Sequence, residues 1–347
     1  MIASVVLQTS FLGDMILTTP LLARLAAEGP VHVVATPANA GVLRHHPAVA
    51  SVIVYDKRGV DRGLRGLWRV ARAVRSTGAR RAFLAQGSMR TAALALLAGI
   101  PERIGFATSA GRALYTRRVP YDRSAHHATR LWQLADRPGH ATHPSVRPSL
   151  VPGDEDVAAV RTVLASHAVE GTTPLVALAP GSVWATKRWP GFAELASQLT
   201  GGPDPILPRD ARLVVIGGEA DAGLARDIAD AVHHAGGAPV IDATGRLSLL
   251  ASAALIARCR AIVTNDSAPL HLASAMNIPT IALFGPTVPT MGFGPLASAS
   301  HVVGHAALSC RPCHAHGPMA CPLGHWRCMR EVGSDQVIAP LRRAINL

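Results

Sequence analysis

Aromatic residues are scarce in this 347-residue chain, only 4%, and they are scattered rather than clustered. No stacking platform for single-stranded nucleic acid is visible. Charged residues are also few, at 16%, while hydrophobic residues make up 49%. That balance excludes disorder as the main state and supplies enough apolar side chain for two cores. Long apolar runs are missing too. Residues 91–100 form about the longest, well short of the roughly 18 needed to span a bilayer. The opening Met1-Ile2-Ala3-Ser4-Val5-Val6-Leu7 has no basic region and no small-residue cleavage site. It reads as a first strand rather than an export signal, so the expectation is a soluble, cytoplasmic protein. Four of the five cysteines crowd between Cys310 and Cys328, where they cannot staple two large domains together. Acid is the last shortage: 22 Asp and Glu stand against 34 Lys and Arg, a net charge of +12. Residues 1–173 carry 21 Lys and Arg against 11 Asp and Glu, so that half holds nearly all the positive field. By itself this charge suits nucleic acid, an anionic membrane surface or a phosphorylated substrate.

What the chain does have is alternation. Short β-branched runs at 4–8, 31–35, 51–54, 175–179, 213–216, 261–264 and 280–284 predict strands. Ala/Leu-rich amphipathic stretches at 15–27, 64–76, 192–199, 224–235, 247–258 and 270–276 predict helices. Such alternation predicts an α/β fold with parallel sheets, whose ligands lie at the carboxyl ends of the strands. Prolines 138, 144, 148 and 152 with Gly153 break the pattern and predict a connection between two domains facing a central cleft. Residues 335–346 predict a closing helix.

Four strand-to-helix turns carry polar chemistry. Thr9-Ser10-Phe11-Leu12-Gly13-Asp14 follows the first strand, and Thr18-Thr19-Pro20 lies just beyond. Asp14 suits either an ordinary helix cap or a general base for a hydroxyl nucleophile. Pro180-Gly181-Ser182-Val183-Trp184-Ala185-Thr186-Lys187-Arg188-Trp189-Pro190 follows a later strand. Ser182 and Thr186 can hydrogen-bond phosphate oxygens, and Lys187 and Arg188 can neutralise a diphosphate, although the Walker spacing is absent. Gly217-Gly218-Glu219 allows close approach of a nucleotide, with Glu219 toward its base or sugar. Asn265-Asp266-Ser267-Ala268-Pro269 opens a helix whose amides suit an anion, with His271 one turn in as either a core residue or a ligand. Asp154-Glu155-Asp156 matches the acid-x-acid pattern of metal-dependent transferases. Its place after Pro152-Gly153 favours compensation of a helix dipole.

Taken in order, Gly13-Asp14 with Thr19-Pro20, Lys187-Arg188-Trp189-Pro190, Asn265-Asp266-Ser267 with His271, and Phe284-Gly285-Pro286-Thr287 resemble glycosyltransferase family 9, the ADP-heptose:lipopolysaccharide heptosyltransferases. Cys321-Pro322-Leu323-Gly324-His325 with Arg327-Cys328-Met329 is similar to the heptosyltransferase II branch. The resemblance implies the GT-B fold, with two Rossmann-like domains. Residues 1–150 would bind the acceptor, 151–334 the nucleotide-sugar, and 335–347 would form the closing helix. It implies inverting transfer, with Asp14 as base and Lys187 on the donor diphosphate. Ser182, Thr186, Arg188, Gly218, Glu219, Asp266, Ser267, Ala268 and His271 would surround the donor, and Thr9, Ser10, Arg65 and Arg69 the acceptor. The partners implied are ADP-heptose and a lipopolysaccharide core acceptor, with no catalytic metal. Ala268 stands where the family usually has Gly.

Two features remain. Cys310, Cys313, Cys321 and Cys328 are compact enough for one tetrahedral zinc, with His314, His316 and His325 as substitutes, although the second pair is spaced too widely for the usual pattern. Four metal-free thiols are the other reading. Between Asp56 and Arg81 there are nine basic residues, and Asp61 is the one acid between Lys57 and Arg81. Arg62, Arg65, Arg69 and Arg72 share one side of a helix, and Val60, Leu64, Leu67, Val70, Ala71 and Val74 are expected on the other. The stripe suits an anionic membrane surface, placing the protein on the cytoplasmic face of the inner membrane, or a phosphorylated acceptor. The competing readings are a family 9 enzyme with another donor or acceptor, and a zinc-stabilised nucleic-acid-binding protein. The latter lacks basic and aromatic residues around the cysteines beyond Arg311, Arg327, Arg330 and Trp326.

Overall fold

The computed structural model describes residues 1–137, 146–202 and 205–345. Pro138 and Pro144 of the expected connection, and Asn346 of the closing helix, lie outside them. The chain divides into two units, Met1–Val151 and Pro152–Leu347. Counted by unit, the first holds 20 Lys and Arg against 7 Asp and Glu.

The first unit is a parallel sheet of β1 (Ser4–Gln8), β2 (Val31–Ala35), β3 (Ser51–Val54), β4 (Arg81–Leu84), β5 (Glu102–Phe106) and β6 (Arg117–Val119). Their spatial order is β3-β2-β1-β4-β5-β6. β1 lies in the middle and is buried along its whole length, which suits its run Ser-Val-Val-Leu-Gln. Its register sets Val6 opposite Val33 on one side and Phe83 on the other.

The second unit repeats the scheme with β7 (Leu175–Ala179), β8 (Arg212–Val215), β9 (Ile241–Asp242), β10 (Ala261–Asn265), β11 (Thr280–Leu283) and β12 (Ser300–Val303). The order here is β12-β11-β10-β7-β8-β9. Both sheets therefore have the doubly wound order in which winding reverses beside the first strand. The reversal lies between β1 and β4 in one unit and between β7 and β10 in the other, and ligands of such sheets bind at that point. The closing helix, Ser334–Ala344, belongs to the second unit, where Val337, Ile338 and Leu341 join the core with Trp189 and Phe192.

Local chemistry explains the Thr-Thr-Pro run. Pro20 lies inside the helix Leu12–Ala26 and has no N–H for the carbonyl of Ile16. The Thr19 hydroxyl donates to that carbonyl instead, at 2.8 Å, and accepts from Ser149 N at 3.0 Å. The acidic run 154–156 opens the helix Asp154–Ala165, and Asp156 accepts from Gly153 N at its start. That is the dipole-compensating reading of these three acids.

Candidate active site

The first unit gathers polar groups at the ends of β1 and β4. Asp14 is the third residue of the helix Leu12–Ala26, and its Oδ2 accepts from Phe11 N at 3.3 Å. It is thus a capping carboxylate, and its Oδ1 lies 3.5 Å from His127 Nε2. Burial drives the His127 imidazole below its ordinary pKa, against the opposing pull of Asp14. A neutral ring beside the carboxylate follows. The Thr9 hydroxyl donates to Gln86 Oε1 at 3.0 Å, and Lys57 Nζ donates to Thr9 O at 2.7 Å. Asn39 holds the Ser10 carbonyl at 2.9 Å. Lys57, Gln86 and His127 were missed from sequence, because each meets the turn only through contacts far apart in the chain.

Arg65 and Arg69 sit instead on the exposed face of the helix Gly63–Ser76. Arg69 forms a two-pronged pair with buried Asp61 through Nε and Nη2. Val60 and Leu64, expected on the core side, are exposed by 87% and 75%. Val60 precedes the helix, and Leu64 lies at the margin of the buried stripe, so the core begins at Leu67.

In the second unit the turns after β7 and β10 interlock. Asn265 accepts from Trp189 N at 3.2 Å and donates to Pro180 O at 2.8 Å. Trp189 donates its indole N–H to Val332 O at 2.9 Å. With the turns held this way, Lys187 Nζ meets Asp266 Oδ2 at 2.6 Å, with the side chains only 10% and 8% exposed. Thr287 donates to the same oxygen at 2.6 Å. Arg311 holds the neighbouring backbone through the carbonyls of Phe284, Gly285, Thr287 and His305. Burial lowers the pKa of its guanidinium, and the nearby thiols oppose that. Gly317, at φ +83°, leaves room for Lys187, since a Cβ there would stand 3.2 Å from its Cγ and Cε.

The other expected donor residues divide. Ser267 is the N-cap of the helix Ala268–Met276 but makes no capping bond through its side chain. Ala268 begins that helix with Pro269 next, and His271 is buried one turn in, its ring 6.5 Å from that of Phe293. Ser182 Oγ accepts from Trp184 N at 3.3 Å, and Arg188 donates to Ser182 O at 2.8 Å. The Thr186 hydroxyl donates to Pro318 O. Gly218 donates to Asp221 at 3.0 Å, while Glu219 is exposed. A Cβ at Gly181 would stand 2.4 Å from the carboxylate of the same aspartate, so the glycine gives that side chain its place.

The cysteines are near enough to influence one another electrostatically. Cys321 lies 4.0 Å from His325 Nδ1. Among the described residues, however, no three of these sulfurs and neighbouring imidazoles have ligand atoms within 4.8 Å of one another. Four thiolates about 2.3 Å from one zinc would be closer than that. The arrangement does not fit the expected tetrahedral site.

Two doubly wound units, each with charged chemistry at its reversal point, define an α/β protein of the class whose ligands lie at the carboxyl ends of the strands. The chain belongs to glycosyltransferase family 9 (heptosyltransferase), whose sequence profile matches residues 67–324. It is a glycosyltransferase, and the matched span holds Lys187, Asp266 and His271 but begins beyond Asp14. Lipopolysaccharide heptosyltransferase 2 of Salmonella typhimurium is 27% identical over 295 residues, covering 82% of this chain and 83% of that protein. Lipopolysaccharide heptosyltransferase 1 of Pseudomonas aeruginosa is 29% identical over 331 residues, covering 88% and 84%. The solved ADP-heptose lps heptosyltransferase II of E. coli superposes with a TM-score of 0.79 at 23% identity, covering 100% of this chain and 99% of that one. The shared fold is GT-B.

Proposed function

We propose that this enzyme moves heptose from ADP-heptose to the inner core of lipopolysaccharide, with inversion at the anomeric carbon. The carrying observation is the buried Lys187–Asp266 pair at the reversal point of the second sheet, in a chain of this family. The second unit takes the nucleotide-sugar and the first takes the acceptor. Asp14 accepts the proton of the acceptor hydroxyl, whose oxygen forms the new bond to the anomeric carbon. The bond from that carbon to the diphosphate breaks, and its electron pair leaves with ADP. Lys187 and the amides at the start of the helix Ala268–Met276 stabilise the departing charge, so the reading needs no catalytic metal. Asp266, joined by Thr287, fixes where the lysine ammonium stands. Ser182, Ser267, Ala268, His271, Arg188, Gly218 and Glu219 surround the donor, and Thr9 and Ser10 lie on the acceptor side. Arg65 adds positive charge there, Arg69 is placed beside it by its pair with Asp61, and the basic first unit suits work at an anionic membrane surface on the cytoplasmic side. Zinc is left out, because the cysteine geometry does not fit it.

Mass spectrometry of the purified enzyme with an inner-core acceptor and a panel of nucleotide-sugars tests the assignment. ADP-heptose is expected to add one heptose to the acceptor. Turnover only with another nucleotide-sugar would overturn the donor assignment and leave family membership standing.

A further inference from the structure

The helix Gly63–Ser76 carries apolar side chains that its own domain does not cover. Its core face is Leu67, Val70, Ala71 and Val74. Leu64 and Trp68 lie beside that face at 100° per residue, yet they are 75% and 49% exposed, and Val60 just ahead is 87% exposed. Single exposed apolar residues are ordinary, but Leu64 and Trp68 lie one helical turn apart, with Val60 exposed in the turn just ahead. Leu64 and Trp68 line an open groove of about 460 Å³ together with Arg65, Arg69 and Arg72. The one acid in the segment, Asp61, is buried and paired with Arg69, which leaves the charges of Arg62, Arg65 and Arg72 uncancelled. Gly66 makes this possible, since a Cβ there would stand 2.2 Å from the Asp61 carbonyl oxygen. Among the described residues, no ion pair is made by Arg62, Arg65 or Arg72.

An apolar ridge bordered by unmatched arginines has the two signals of a helix lying in a membrane interface: carbon to enter the headgroup boundary, and charge to attract anionic lipid. We infer that Val60, Leu64 and Trp68 insert into the surface of an anionic bilayer while Arg62, Arg65 and Arg72 contact its phosphates. No helix among the described residues is long and apolar enough to cross a membrane, so this contact lies along the surface. The inference deepens the membrane contact of the proposed reading. Its primary readout, vesicle binding, uses neither donor nor acceptor, so it fails or holds separately from the transfer chemistry.

Full-length protein is mixed with phosphatidylglycerol-rich vesicles free of lipopolysaccharide, and with phosphatidylcholine vesicles, and binding is read by sedimentation. Binding to the anionic vesicles alone is expected. L64S/W68S lowers that affinity roughly tenfold or more, with transfer to a water-soluble truncated acceptor unchanged. R62E/R72E lowers it roughly thirtyfold or more. Trp68 fluorescence shifts to the blue on binding. The signal is isolated from the other four tryptophans by W68F, which keeps binding and loses the shift. Equal binding to both vesicle types, or full binding by L64S/W68S, would overturn the inference. So would binding confined to vesicles carrying the lipopolysaccharide acceptor, which would make this face an acceptor subsite.

Discussion

Replacing Lys187 by Met removes a charge that has two jobs, and the structure separates them. The ammonium is 2.6 Å from a carboxylate in a pair that is about nine-tenths buried. Removing one partner of such a pair leaves the other charge stranded, at a cost of about 3–5 kcal/mol. For a unit of 150–250 residues that lowers the melting temperature by roughly 6–20 °C. Loss of one preorganised stabiliser of transition-state charge costs about 10²–10³ in kcat. Stability and activity therefore both fall in K187M. Adding D266N removes the stranded charge while keeping an amide that can accept from Thr287. The double variant K187M/D266N is expected to regain about 2 kcal/mol or more of stability over K187M and none of the activity. Thermal denaturation and steady-state transfer rates read the two effects independently. K187M with kcat/KM within fivefold of wild type would refute the role of the lysine at the diphosphate. A double variant no more stable than K187M would refute the stranded-charge argument.

Three further outcomes follow. Gly317→Ala places a Cβ 3.2 Å from Lys187 in a left-handed backbone, so donor KM is expected to rise several-fold; an unchanged KM would show that the lysine has room to move. Burial holds His46 and His127 below the ordinary pKa of 6.5, so the unfolded chain takes up their protons first. Their contribution to stability is complete above pH 6.5 and is lost as pH falls through the window below it; a melting temperature that rises between pH 6.5 and 5 would contradict this. Burial pushes Cys259 up to about 12. Cys321 is lowered: although desolvation raises it, the backbone N–H groups of Trp326, Leu323, His325 and Gly324 outweigh that. Iodoacetamide at neutral pH should label Cys321 first and Cys259 last, as peptide mapping would show; comparable labelling of Cys259 would overturn the burial argument.

The strands legible in the sequence were mostly the central ones. β1, β2, β7 and β10 are apolar nearly throughout because both faces are covered. Of the five that escaped, β6, β9 and β12 are sheet edges: β6 carries Arg117 and Arg118, and β9 is two residues long. β4 opens on Arg81, and β5 contains Gly105, whose missing Cβ makes room for the Tyr115 ring, so neither reads as an apolar run. In the candidate site, the turns bearing Asp14, Lys187 and Asp266 were readable from glycine, proline and charge at strand ends. The partners that orient them were not. His127 lies far along the chain from Asp14, and Arg311 acts through four carbonyls, a role that no local pattern announces. The amphipathic helix was visible as a stripe. Which of its apolar residues reached the core depended on where the helix began.

The most direct test of the account pairs Asp14→Asn with wild-type enzyme in the ADP-heptose transfer assay, alongside calorimetric titration with ADP. Loss of measurable transfer with unchanged ADP affinity is predicted, because the carboxylate takes the acceptor proton and has no part in holding the nucleotide. Transfer by D14N at a rate near wild type would contradict the assignment of the base.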